Sequence, residues 1–230
     1  MIAIISIFAS LIGNIILYRI YSSRQIRFHF QSDHNGSTSV TAIFLINKIN
    51  GFVILGLIPG ILVFSFFSQH PAGVGLSLGL TTTYWYLLGI PLVVIGLNYF
   101  LANNRATFNR YPEMRFKEWS KTQFAITAIG WAIYLLGYEF LFRGLLFFSV
   151  YHSYGLIIAM TLNVFIYSIV HIPKGKAEMI GAIPFGILLC SLSLLTNSII
   201  LPFLIHLCLA LSTDFFSIHH NPDMKFSNHE

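Results

Sequence analysis

An all-α, polytopic membrane helix bundle of about seven transmembrane helices is the fold class this sequence predicts, and three observations predict it. Of its 230 residues 56% are hydrophobic and only 9% are charged, where a soluble domain carries about 25% charged residues. The apolar residues gather into runs near the roughly 20 needed to cross a bilayer as a helix. The basic residues gather in alternate links between those runs, the pattern that sets orientation in membranes.

The first run, Ile2–Tyr18, has no basic residue before it and Arg19, Arg24 and Arg27 just after it. That order predicts a retained first helix with its N-terminus outside, not a cleaved signal. Further spans are expected at Ile49–Phe67, Thr82–Leu101, Phe124–Val150, Tyr154–His171, Glu178–Leu195 and Ile199–Ile218. The fourth is long enough to tilt or to begin in the interface, and the first and fifth are short. Pro59, Pro91, Pro184 and Pro202 fall inside spans, where proline is tolerated and marks kinks. A polar link occupies Gln31–Ser39. The chain is expected to form one structural unit: N-terminal helices and an interfacial link over 1–122, a core over 123–218 and a tail over 219–230.

The net charge of +5 and pI near 9.3 would suggest nucleic acid in a soluble protein. Here the cations sit in links, so topology explains them, with contact to anionic headgroups as the residual role. Arg19, Arg24, Arg27 and Lys48 belong to the first link. Arg105, Arg110, Arg115, Lys117 and Lys121 belong to the third, Lys174 and Lys176 to the fifth, and Lys225 to the tail. The second, fourth and sixth links (Ser68–Leu80, Tyr151–Ser153, Thr196–Ser198) carry no Lys or Arg. The N-terminus is therefore expected outside and the C-terminus in the cytoplasm. The third link, Ala102–Gln123, mixes charges with Phe108, Tyr111, Phe116 and Trp119 and is expected to lie along the cytoplasmic interface. Cys190 and Cys208 lie in apolar runs and read as packing residues.

An ionisable group inside a span costs several kcal/mol on most scales and needs a reason. Glu139, Arg143, His171, His206 and Asp214 are the cases here. Glu139 and Arg143 are four apart, on one helix face, in the favourable acid-before-base order. They read either as a structural ion pair or as a carboxylate kept ionised and oriented to act as a general base toward water. His171 follows Tyr167 by one turn at a helix end, where solvation alone accounts for many histidines. His206 lies well inside its span and needs a partner from another helix. It can offer an acid, a base, a metal ligand or a donor to a developing oxyanion. The sequence contains no His-Glu-x-x-His, no Gly-x-Ser-x-Gly and no phosphate loop, so spacing alone does not join these residues into a site.

The run Tyr138-Glu139-Phe140-Leu141-Phe142-Arg143-Gly144 resembles the first motif of the CPBP (Abi) family of intramembrane proteases, the CAAX-processing and bacteriocin-processing group, which reads Glu-Glu-x-x-x-Arg. Tyr167 to His171 is similar to the family's Phe-x-x-x-His, and His206 to Ala210 to part of its His-x-x-x-Asn/Asp. The run from Phe185 and Gly186 through Asn197 to Pro202 is also similar, and order and spacing agree over Gln123–Ile218. The resemblance implies that Glu139 and His171 activate a water, that His206 stabilises the oxyanion of peptide hydrolysis and that Arg143 orients the carboxylate. Whether zinc or glutamate alone does the work stays open; with zinc, its ligands would be Glu139, His171 and His206. Two positions depart from the family: Tyr138 replaces its first Glu, and Ala210 its Asn or Asp. Asp214 is about 80° further round the helix from His206, so it is not a simple replacement.

The function expected is an intramembrane endopeptidase of the CPBP type. Its partners would be a peptide or membrane-protein segment and the lipid bilayer, with no nucleic acid. Its place would be the cytoplasmic membrane of a bacterium. The alternatives are a catalytically impaired family member acting as a scaffold or in bacteriocin immunity, and a transporter gated by the Arg–Glu pair.

Overall fold

The computed structural model describes residues 1–25, 34–67, 71–77 and 87–227. Arg27, the start of the polar link at 31–33, much of Ser68–Leu80 and the start of the expected third span (Thr82–Tyr86) lie outside the described residues. What is described is helical, apart from one two-residue parallel pairing of β1 (Glu118–Trp119) with β2 (Lys225–Phe226).

Ten α-helices follow in order among the described residues: α1 (Ile2–Gln25), α2 (His34–Phe52), α3 (Ile58–Phe67), α4 (Ile90–Leu101), α5 (Arg105–Phe108), α6 (Lys121–Glu139), α7 (Ser149–Tyr154), α8 (Leu156–Ile169), α9 (Lys176–Thr196) and α10 (Ile200–His220). Two π-helical segments, Val53–Leu57 and Phe140–Phe148, join α2 to α3 and α6 to α7 without a break. Local chemistry explains the ends. Ser120 and Gln123 form a reciprocal capping box at the start of α6: the Gln123 amide donates to Ser120 Oγ at 3.2 Å, and the Ser120 amide to Gln123 Oε1 at 2.9 Å. Asn104 caps α5 by accepting from the Thr107 amide. Asn197 ends α9 in the left-handed conformation. Along α1, Ser6, Ser10 and Asn14 each donate to the carbonyl four residues earlier, which satisfies polar groups where water is absent.

Among the described residues five helical stretches are long and apolar enough to cross a membrane: Ile2–Ile20, Val40–Phe66, Lys121–Tyr154, Lys176–Thr196 and Ile200–His220. The chain is an integral membrane protein. Two further apolar helices, Leu87–Leu101 and Leu156–Ile169, are shorter. The second has 14 residues and a length of about 21 Å, less than the roughly 30 Å of hydrocarbon. It ends before His171, which lies in the turn leading to a short 3₁₀ segment, Ile172–Lys174.

The residues group into two units. The first comprises Met1–Arg19, Gly51–Tyr86 and Leu136–Phe203. Here α8 packs on α9 and on the segment Phe140–Phe148, all nine residues of which are buried. Gly56 and Gly137 let two helices touch backbone to backbone: a Cβ on Gly56 would stand 2.7 Å from the Gly137 Cα.

The second unit comprises Ile20–Asn50, Leu87–Leu135 and Leu204–Glu230. Its core is Phe44, Met114, Trp119, Ile218 and Met224. The third link is thus anchored by burial: Trp119 is fully enclosed and its strand is paired with the tail. Burial holds the Arg115 guanidinium below its ordinary pKa, and it donates to the carbonyls of Phe108 (2.7 Å) and Tyr111 (3.1 Å). Lys48 corrects the expectation that placed it in the first link, just before the second span. It lies within α2, 1% exposed, with its ammonium 2.9 Å from Glu113 and 3.1 Å from the centre of the Trp131 ring. An ammonium held by a carboxylate and an aromatic face does not need water, so it sits inside the helix pattern.

Candidate active site

Glu139 closes α6, and Arg143 lies one turn on, inside the π-helical segment. Both are fully buried, with Arg143 Nε 3.4 Å from Glu139 Oε2. That separation is longer than the roughly 2.8 Å of a charge-assisted hydrogen bond, so the pair is held by charge. The guanidinium also lies over the Tyr167 ring, its carbon 4.2 Å from the centroid. A desolvated contact of this kind is worth about 2 kcal/mol. Acid and base therefore share a face, as the four-residue spacing predicts.

Gly144 explains why no side chain follows Arg143. A Cβ there would stand 2.8 Å from the Val74 carbonyl oxygen, inside any tolerable contact.

Tyr167 connects the pair to His171. Its carbonyl oxygen lies 2.7 Å from His171 Nδ1 and its ring 4.6 Å from the imidazole. A carbonyl can only accept, so Nδ1 carries the hydrogen and Nε2 presents its lone pair in the neutral ring. That is the tautomer a general base or a metal ligand needs. His171 is 9% exposed, so it is not the solvated helix-end histidine that its position alone allowed. Tyr138, where the resemblance expects a carboxylate, stacks on Phe142 at 4.5 Å and meets Tyr167 edge-on at 6.0 Å. It packs as an aromatic.

Within the first unit Glu139 pairs with Arg143, Arg143 lies over the Tyr167 ring, and Tyr167 contacts His171. His206 belongs to the second unit, half-buried on α10. Asp214, also in the second unit, is fully buried and accepts the Trp131 indole N–H at 2.7 Å. Among the described residues no group of three or more His, Cys, Asp or Glu side chains is arranged to hold a metal ion, so the donor set as it stands does not fit a zinc centre. Cys190 and Cys208 are free thiols.

Sequence reasoning missed two buried amides. Asn163 of α8 donates to the Phe142 carbonyl at 2.6 Å. Asn98 of α4 donates to Ser212 Oγ at 2.8 Å and Thr213 Oγ1 at 2.9 Å. The signal was available: an asparagine inside an apolar run costs as a buried polar group unless it is bonded. The first unit also has an apolar recess of about 250 Å³ lined by Gly75, Ser77, Leu136, Ile199 and Phe203; Leu136 stands one turn before Glu139.

A family model described as type II CAAX prenyl endopeptidase Rce1-like matches residues 115–212. The match is consistent with the CPBP family over that segment. The matched segment holds Glu139, Arg143, His171 and His206. No curated protein matches the chain, and no solved structure does.

Proposed function

We propose that this chain is an intramembrane endopeptidase that hydrolyses a peptide bond with a water activated by Glu139 and His171. The observation that carries the reading is the tautomer of His171: with Nδ1–H bonded to the Tyr167 carbonyl, the neutral ring has its lone pair on Nε2, and the same tyrosine carries the Arg143 guanidinium. Arg143 keeps Glu139 ionised and oriented. The water gives a proton to the Glu139–His171 pair, and its oxygen forms the bond to the scissile carbonyl carbon. Donation to the resulting oxyanion is the role the family resemblance implies for His206. The carbon–nitrogen bond then breaks as the captured proton passes to the departing amine, leaving an acid and an amine. The recess beside Leu136 suits an apolar segment of the substrate.

The proposal extends to topology and place. Seven spans, the five long helices with Leu87–Leu101 and Leu156–Ile169, set the N-terminus outside and the C-terminus in the cytoplasm of a bacterial cell membrane. The partners are a peptide or membrane-protein segment and the bilayer.

The test is cleavage of an internally quenched peptide ending in Cys-aliphatic-aliphatic-X, prenylated and unprenylated, by the protein in proteoliposomes. Glu139→Gln and His171→Ala should each abolish turnover. Full activity of Glu139→Gln sinks the proposal. A second reading, a non-catalytic CPBP scaffold that binds membrane peptides, is favoured by the burial of Tyr138 in aromatic packing. It predicts peptide binding without turnover and a cellular phenotype that survives Glu139→Gln.

A further inference from the structure

Asn163 stands in the middle of α8 with none of its surface exposed. A primary amide in an apolar interior is costly unless both of its edges are bonded. Both are: Nδ2 donates to the Phe142 carbonyl at 2.6 Å, and Oδ1 accepts from the Cys190 thiol of α9 at 3.1 Å. The orientation of the amide follows, because a carbonyl only accepts and must face the NH₂.

The recipient carbonyl belongs to the residue just before Arg143, within the π-helical segment Phe140–Phe148. π-helix is rare, and it occurs mostly as single-turn bulges, often at functional sites. A π turn that relapses to α-helix loses one residue of register and rotates the chain beyond it by about 100°. Such a rotation would carry Arg143 off the Tyr167 ring. The segment is enclosed by apolar side chains, which pack without setting a hydrogen-bond register. The Asn163 donor sets one.

We infer that Asn163 is a positioning residue: by holding the Phe142 carbonyl it keeps the Arg143 guanidinium between the Glu139 carboxylate and the Tyr167 ring. Cys190 steadies the amide from α9. The kinetic consequence rests on the peptidase reading above; the placement of Arg143 does not.

The test uses the full chain in detergent micelles with isotope-labelled arginine. The Arg143 Nε–H resonance is assigned by its loss in Arg143→Lys and then followed in Asn163→Leu. Turnover of the prenylated peptide is measured on the same samples. The resonance should move by more than its linewidth. The kcat should fall by about tenfold to a hundredfold, the scale of a misplaced catalytic group, with KM within about twofold. Cys190→Ser, whose hydroxyl donates the same bond, should keep kcat within about twofold of wild type. An unmoved resonance in folded Asn163→Leu overturns the inference, as does a moved resonance with unchanged kcat in an active enzyme. Should Asn163→Leu fail to fold, Asn163→Asp, nearly isosteric and an acceptor only when ionised, takes its place with the same criteria. If the wild type does not cut the peptide, the peptidase reading fails by itself. A moved resonance then still supports the placement of Arg143, and an unmoved one still overturns it.

Discussion

Replacing Arg143 by methionine removes a cation and keeps the volume, and it separates a structural from a chemical role for the buried pair. Both partners are fully enclosed and 3.4 Å apart, so Arg143→Met leaves the Glu139 carboxylate without its guanidinium in an apolar setting. Breaking a buried pair from one side costs about 3–5 kcal/mol. Glu139→Gln should cost less, about 1–3 kcal/mol, because the guanidinium keeps the Tyr167 ring at 4.2 Å and a neutral amide still accepts from it. The double variant strands no charge and should lie within about 2 kcal/mol of wild type, since a buried pair exchanged for packed neutral groups is close to neutral. The implied coupling between the two sites is about 2–8 kcal/mol. The assay is unfolding in mixed micelles titrated with SDS, followed by far-ultraviolet circular dichroism, with peptide turnover on the same preparations. Two results would refute the reasoning: single substitutions that each cost less than about 1 kcal/mol, or a double variant as unstable as their sum. A stable double variant that has lost turnover would show that the pair is retained for chemistry.

Other outcomes follow from the same geometry. Glu113→Gln should destabilise the chain more than Lys48→Met, by about 1–3 kcal/mol in SDS titration, because Lys48 is 1% exposed and Glu113 is 26% exposed, so only the glutamate can be left to water. Gly144→Ala should cost about 1–3 kcal/mol in the same titration, since the added methyl meets a backbone oxygen that cannot step aside. Leu136→Trp should fill the recess that Leu136 lines and raise KM for the peptide at nearly constant kcat, which steady-state kinetics would show. Trp131→Phe removes the indole N–H bonded to Asp214 and should cost about 1–3 kcal/mol, read as a lowered SDS midpoint.

The apolar helices and the motif residues were legible in the sequence because their signals are local. Twenty apolar residues in a row, or an acid and a base four apart, need no tertiary information. Glu139 and Arg143 meet as that spacing requires, and His171 stands one turn past the tyrosine that serves both. What depended on distant partners was hidden. Lys48 sits at the edge of an apolar run, where sequence does not tell a solvated lysine from a paired one. Glu113, 65 residues away, decides it. The π-helical register of Phe140–Phe148 leaves no mark in a hydrophobic pattern, because every residue in it is apolar except Arg143 and Gly144. Helix ends were displaced for a similar reason: α8 starts after Gly155 and stops before His171, although the apolar pattern runs on past both.

Trp131 has a consequence for how the second unit opens. An aromatic ring is a quadrupole, negative on its faces and positive at its edge. The Lys48 ammonium lies on the face and the Asp214 carboxylate takes the N–H at the edge, so one neutral ring, 3% exposed, stands between opposite charges and attracts both. Withdrawing α2, α6 or α10 at this point strips a partner from the other two. The amides around Lys48, Trp131 and Asp214 should therefore exchange their hydrogens in one cooperative step with a shared opening free energy, although they are carried by helices far apart in the chain.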